Sequence, residues 1–344
     1  MGFTGYFMRN CSNKERMDGK VAVITGCNTG IGLETAKGLA LRGCRVIMAC
    51  RNIEQTNKAA EEIKKAVREA QEKDKRKGKN SVGDGEASVQ ANADAIVEIY
   101  QLDLSAQKSV RKFAEKILEA EPQIHLLINN AGVMAIPRKL TEDGCEWQFA
   151  VNHLGHFLLT CLLLERICNT PGARIVNLSS VAHFLGSINF DDMNLEKEYS
   201  PVGAYCRSKL ANLLFTKDLA KRLQGTGVTT YAVHPGIVAT DMSRHFSRTL
   251  IPGLTWICRC IGPYLVQNSE QGCQTTLHCA LDKNAGNENG LYYSNCQPTS
   301  TSEQANDPEL ARRLWDVSLK LVGLEVDPSK NLIRKHQSTT STYM

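Results

Sequence analysis

Val21-Ala22-Val23-Ile24-Thr25 runs straight into Gly26-Cys27-Asn28-Thr29-Gly30-Ile31-Gly32, and the reading of that junction decides the fold. A short apolar, β-branched run reads as a buried strand, and the residues after the glycines continue with helical spacing to Leu41. Glycines at a strand-to-helix junction let the chain turn tightly and approach a pyrophosphate. The phosphate charge then sits on the free N–H groups and positive end of the helix. Gly26, Asn28, Thr29, Gly30, Ile31 and Gly32 are therefore candidate dinucleotide contacts.

Outward from this junction the same alternation repeats. Arg45 to Ala49, Ile96 to Leu102, His125 to Ile128, Arg174 to Leu178, Val228 to Val233 and Leu291 to Tyr293 read as strands. Helical patterns over 54–70, 109–120, 146–168, 204–223 and 270–280 separate nearly all of them. Such alternation implies βαβ units and a parallel sheet covered on both faces. The expectation is one doubly wound, Rossmann-type α/β domain over 18–322, with seven mostly parallel strands and tails at 1–17 and 323–344. Residues 72–95 break the rhythm: they are polar, rich in Lys, Gly, Asn and Asp, and read as an inserted surface loop, helical at its start and disordered around Gly78–Gly85.

Composition narrows the class. The chain has 344 residues, 42% hydrophobic and 22% charged, ordinary for a soluble protein with a sizeable core. The net charge of +5 owes much to local runs such as Lys73-Asp74-Lys75-Arg76-Lys77, which argues against nucleic acid as a partner. Thirteen cysteines are scattered, with Cys258 and Cys260 the only close pair and no CxxC, so neither zinc nor a disulfide framework is expected. That usage suits a reducing compartment such as the cytoplasm. Residues 1–20 hold no apolar run near the roughly 20 residues of a membrane span.

Strand ends carry the candidate chemistry. The second strand ends in Cys50-Arg51-Asn52, where an acidic residue would bond a ribose 2′-hydroxyl. Arg51 would instead pair with a 2′-phosphate, favouring NADP(H); the bland alternative is a solvated strand-end arginine. Asp103 and Leu104 close the third strand, and Asn129-Asn130-Ala131-Gly132 closes the fourth. Tyr205 and Lys209, at i and i+4, share a helix face, where an ammonium favours the phenolate. Ser179-Ser180 ends the preceding strand and can bring a hydroxyl beside a reacting oxygen.

Together with Asn152 and His234-Pro235-Gly236, these motifs resemble the short-chain dehydrogenase/reductases in order and context, over residues about 18 to 322. The stretches 28–36, 151–157, 176–183 and 223–236 are most similar to the retinol dehydrogenases that reduce retinal with NADPH. The resemblance implies hydride transfer between nicotinamide and a carbonyl or alcohol. Tyr205 would act as acid and base, Lys209 would hold the ribose and lower the tyrosine's pKa, Ser180 would bind the substrate oxygen, and Asn152 would organise a water relay. It places Gly26, Asn28, Ile31, Arg51, Asp103, Asn130, Ala131, Pro235, Gly236, Val238 and Thr240 around the cofactor.

An apolar small-molecule carbonyl or alcohol follows as the substrate class, retinal or a lipid aldehyde ahead of a steroid or xenobiotic ketone. The rival is a cofactor-binding scaffold without turnover. A substrate lid is expected over 243–268; Trp256 and, near the reactive centre, His183 are candidate substrate contacts. The apolar stretch 250–266 is also a candidate peripheral membrane surface, with a core helix as the alternative. A homodimer through the helices carrying Asn152 and Tyr205 remains open, as in many members of the superfamily.

Overall fold

The computed structural model describes residues 9–78, 93, 96–236 and 267–330. Eight strands form one sheet in the order β3-β2-β1-β4-β5-β6-β7-β8. They are β1 (Val21–Thr25), β2 (Arg45–Cys50), β3 (Val97–Gln101), β4 (Leu126–Asn129), β5 (Arg174–Leu178), β6 (Thr229–His234), β7 (Leu291–Ser294) and β8 (Gln297–Pro298). The first seven are mutually parallel, as expected. The eighth is a correction to the expected seven: a two-residue strand returns antiparallel to β7 through Asn295 and Cys296, both at positive φ.

Helices cover both faces because each strand of the central sheet is apolar on both sides. On one face, α1 (Gly30–Ala40) and α2 (Ile53–Gly78) pack with the later α6 (Gln274–Leu281), burying Leu39, Ile63 and Leu277 against Ile24, Met48 and Val233. On the other lie α3 (Gln107–Ala120), α4 (Gly155–Cys168), α5 (Pro201–Arg222) and α7 (Pro308–Leu321), with Phe113, Phe157, Phe215 and Trp315 filling the layer. Phe157 and Trp315 meet edge to face at 4.9 Å.

The second helix runs through Gly78, well into the polar stretch; residues 79–92 lie outside the described residues. Neither described end hangs free. Arg42 donates to the Asn13 carbonyl and Asn13 to that of Leu281, while Asp327 and Asp218 both receive the Arg222 guanidinium.

Candidate active site

Strand order reverses between β1 and β4, and the loops leaving their carboxyl ends meet in the crevice where α/β proteins bind dinucleotides. Two glycines make the meeting possible. Gly26 holds φ +62°, and a Cβ there would stand 2.7 Å from that of Ala131. A Cβ on Gly32 would stand 2.5 Å from Asn130 Nδ2. The Asn130 amide donates to the carbonyls of Thr25 (2.9 Å) and Gly26 (3.0 Å), tying the fourth strand's loop to the glycine turn. Thr29 precedes α1 without a side-chain cap, so the helix's first N–H groups stay available to an anion.

Arg51 stands exposed between β2 and α2, with no ion pair among the described residues. Asn28 bonds Gln55 at 3.2 Å, which fixes the turn's outer wall. Asp103 spends one carboxylate oxygen on the Ser105 N–H and hydroxyl. Leu104 is buried beside Gly155. Gly132 continues the strand-end loop, partly exposed. An uncapped helix, a glycine cradle and a free cation fit a phosphorylated dinucleotide.

The reactive groups converge further along the same sheet edge. Ser180 ends β5 and caps the short helical turn Val181–Leu185, accepting the Ala182 N–H at 3.2 Å. Tyr205 and Lys209 project from α5 toward it, with Lys209 Nζ 5.5 Å from the centre of the Tyr205 ring. Burial pushes the Tyr205 hydroxyl up to about 12, with hydrogen bonding to Ser180 pulling the other way. Burial also pushes the Lys209 ammonium down to about 8. The expected lowering of the tyrosine is therefore outweighed by burial in the protein alone. A neutral phenol in hydrogen-bond contact with a serine can give up a proton to a bound oxygen.

Asn152 lies in a π-helical turn, Ala150–Leu154, inserted just before α4. Such turns open the i→i+4 ladder and frequently sit at functional sites. The Asn152 side chain accepts the Val133 N–H at 2.8 Å and donates to the Val133 carbonyl and the Ser208 hydroxyl, both at 2.9 Å. Its described bonds thus clamp the cofactor-side loop to α5 rather than reaching Lys209.

His183 lies beside Ser180 but is turned into the interior. Its ring is fully buried; Nδ1 faces the Ser180 carbonyl at 2.7 Å and Nε2 the Ser302 N–H at 3.3 Å. Both ring nitrogens are engaged by backbone, an arrangement that steadies the Ser180 carbonyl. The exposed apolar side chains beside it are Val181, Phe184 and Leu185. Pro235 and Gly236 follow β6, with Gly236 at φ +89° against Gln267. Val238, Thr240, Trp256 and the 250–266 stretch lie outside the described residues.

Sequence reasoning missed the supports. Arg207, between the two reactive residues, pairs in the interior with Glu146 at 3.2 Å and donates to the Met193 carbonyl at 2.7 Å. Glu146 also receives the N–H groups of Gln148 and Phe149. An acid just before a helical run was the available signal. Asn129 donates to Thr160 and Asn177, and Asn177 to Thr216, a polar chain through the core that no local pattern announces.

The model of the family "short chain dehydrogenase" matches residues 20–74 and 77–250. Human retinol dehydrogenase 12 is 48% identical over 314 residues, covering 91% of this chain and 90% of that protein. Mouse retinol dehydrogenase 11 is 45% identical over 317 residues, covering 92% and 90%. Among solved structures, an uncharacterised protein from Mycobacterium paratuberculosis superposes with a TM-score of 0.68 at 32% identity, covering 92% of this chain and 98% of that one. The NADP complex of Pseudomonas aeruginosa RhlG, with a TM-score of 0.58 at 22% identity over 80% of this chain and 94% of its own, shares the fold. The family model over most of the chain and the relatives at 45–48% identity agree with the sheet order, and the chain belongs to the short-chain dehydrogenase family of oxidoreductases, in its retinol dehydrogenase-like branch.

Proposed function

We propose that the protein is an NADP(H)-dependent carbonyl reductase acting on an apolar aldehyde, retinal or a lipid aldehyde foremost. The observation that carries this reading is the buried Tyr205 in hydrogen-bond contact with Ser180 at the carboxyl edge of the sheet, where β2 also ends in the exposed Arg51. The relatives' names supply the retinoid class, and the exposed Val181, Phe184 and Leu185 beside Ser180 suit an apolar chain.

When bound, the reduced nicotinamide supplies the hydride. The chain's own residues do the rest. Ser180 and Tyr205 place two hydroxyl donors on the substrate oxygen, where negative charge develops, and Tyr205 transfers its proton there. Lys209, on the same helix face, holds the ribose and, charged, favours the phenolate left behind. Asn152 and His183 keep the loop and the serine in place. Gly26 and Gly32 allow backbone to approach the pyrophosphate, and Arg51 pairs with the 2′-phosphate.

The test is loss of NADPH absorbance with a panel of retinal, straight-chain aldehydes and steroid ketones, with NADH as the competing cofactor. Turnover of apolar aldehydes with a strong NADPH preference is expected. Tight NADPH binding with no turnover of any substrate would favour a cofactor-binding scaffold. Preference for ketones would move the substrate class to steroids or xenobiotics.

A further inference from the structure

His156 is the second residue of α4, two residues past the π-helical turn, and only 2% of it is exposed. Its ring adds a second link between two parts of the site that Asn152 already joins through Val133, and it alone among the described bonds carries that link directly to Thr25, at the glycine turn. Nδ1 lies 3.0 Å from the Asn152 carbonyl oxygen, and Nε2 lies 2.8 Å from the Thr25 hydroxyl, 131 residues away. That hydroxyl lies 3.0 Å from the N–H groups of both Asn130 and Ala131.

Counting protons leaves one arrangement. A carbonyl can only accept, so Nδ1 carries the hydrogen and Nε2 is a bare acceptor. Among the described residues, the proton within reach of Nε2 is the Thr25 hydroxyl's. With its hydrogen committed there, the Thr25 oxygen has two lone pairs left, and the two N–H groups fill them. The contact from the same hydroxyl to the Ile128 carbonyl, at 3.5 Å, is the weaker competitor for that single hydrogen. Every donor and acceptor in the chain Asn152–His156–Thr25–Asn130/Ala131 is then satisfied, and only a neutral, Nδ1-protonated imidazole satisfies it. Burial holds the ring in that neutral state, pushing its pKa down to about 4.

We propose that His156 is a positioning residue that couples the Asn152 turn, which is anchored to the helix bearing Tyr205, to the Asn130–Ala131 loop beside the cofactor ribose. This rests on the cofactor reading above for its functional consequence, but the coupling itself belongs to the protein alone. Thr25 would be a two-acceptor hub only while the imidazole takes its proton. Without that acceptor the hydroxyl turns toward Ile128, and the loop's two N–H groups lose a well-oriented partner.

Three substitutions separate the two halves of the ring. An asparagine amide reaches about where Nδ1 does, and a glutamine amide about where Nε2 does; leucine keeps the bulk and offers neither. Two readouts apply: amide hydrogen exchange of the segment holding Asn130 and Ala131 in the cofactor-free protein, and the Kd for NADPH by fluorescence titration. His156→Leu should speed exchange of those amides and weaken NADPH about tenfold, the scale of one lost buried hydrogen bond. His156→Gln should restore both toward wild type. His156→Asn should leave both impaired while keeping the Asn152 turn protected.

Exchange and Kd unchanged in His156→Leu would overturn the proposal. So would Gln and Asn variants that track one another and merely follow thermal stability, since an ordinary core histidine would do that. If the leucine variant does not fold, the Gln–Asn contrast still decides. If wild-type protein bound no NADPH, the cofactor reading would fail while the exchange experiment still judged the coupling.

Discussion

Lys209 donates to the carbonyl of Leu178 at 3.0 Å, and that carbonyl also receives the side chain of Asn212 at 3.0 Å. The ammonium is therefore parked on the end of β5, beside Ser180, rather than against the Tyr205 hydroxyl. Its hydrogen bond replaces part of the water lost on burial, while the ring of Tyr205 lies within cation–π range. This arrangement suits the proton-donor role proposed for the tyrosine. Tyr205→Phe removes the transferable proton with little change in shape. Turnover should fall about 10²- to 10⁴-fold while the NADPH Kd stays near wild type. Unchanged steady-state rates in that variant would remove Tyr205 from the reaction.

A buried ammonium with a pKa near 8 has a visible signature. The kcat/KM profile reports ionisations of the free enzyme. Above about pH 8 Lys209 loses its proton and its hold on an anionic cofactor, so kcat/KM for reduction should fall as pH rises. Lys209→Arg keeps the charge throughout and should remove that limb, at reduced rate. A limb that persists unchanged in this variant would belong to another group.

Arg51 is the residue proposed to select the nucleotide. A charge-assisted pair with the 2′-phosphate is lost in Arg51→Ala, so the KM for NADPH should rise about 10- to 100-fold while that for NADH barely moves. Equal effects on both nucleotides would make Arg51 a general contact, and no effect would leave it a solvated strand-end side chain.

Where packing and turn chemistry agree locally, the architecture was readable in the residues. Arg174–Leu178 is a strand from end to end, and the glycine turn sits between β1 and α1 as the spacing requires. Helix α7 went unread although Asp307-Pro308 opens it with a cap and Leu310, Leu314 and Trp315 give it one apolar face. The two-residue β8 depends on left-handed backbone at Asn295 and Cys296, which apolar periodicity does not register. Tyr205, Lys209 and Ser180 were visible because their spacing is local to one helix and one strand end. The Thr25–His156 contact was not, because it forms only when α4 is laid across β1. His183 shows the same limit: its proximity to Ser180 was legible, but burial of its ring against Tyr292, at 4.9 Å, arises from β7.

Histidines held neutral by burial set the acid limit of stability: His153, His156 and His234. Burial pushes His153 down to about 3 and both His156 and His234 to about 4, whereas an unfolded histidine titrates near 6.5. Between those values the unfolded chain holds more protons, so stability is fully present above about pH 6.5 and drains as pH falls toward 4. At pH 5 each histidine should cost about 2 kcal/mol relative to pH 7. Urea unfolding at both pH values measures it, and His156→Gln should recover its own share. A midpoint unchanged between pH 7 and pH 5 would mean that none of these rings is held neutral by the fold.

The Arg207–Glu146 pair should behave as a positioning device rather than a store of stability. Both side chains are almost wholly buried, 3% and 0% exposed, so their attraction largely offsets the cost of removing two charges from water. Arg207→Met alone leaves the Glu146 carboxylate without its cation, held by the Gln148 and Phe149 N–H groups and a 3.5 Å contact from the Tyr199 hydroxyl, and should cost about 3–5 kcal/mol. Arg207→Met with Glu146→Gln should cost clearly less in urea unfolding, because no buried charge is left alone. The double variant should nevertheless lose turnover, since Arg207 also ties the Met193 carbonyl to α5, and Glu146 orients Gln148, whose amide donates to the Tyr199 hydroxyl and to the Pro201 carbonyl at the start of α5. If the double variant matched wild type in kcat while recovering stability, the pair would have no part in placing Tyr205; if it lost as much stability as the single variant, the cost would come from packing, including the Arg207–Phe149 stack at 4.7 Å, and not from an orphaned charge.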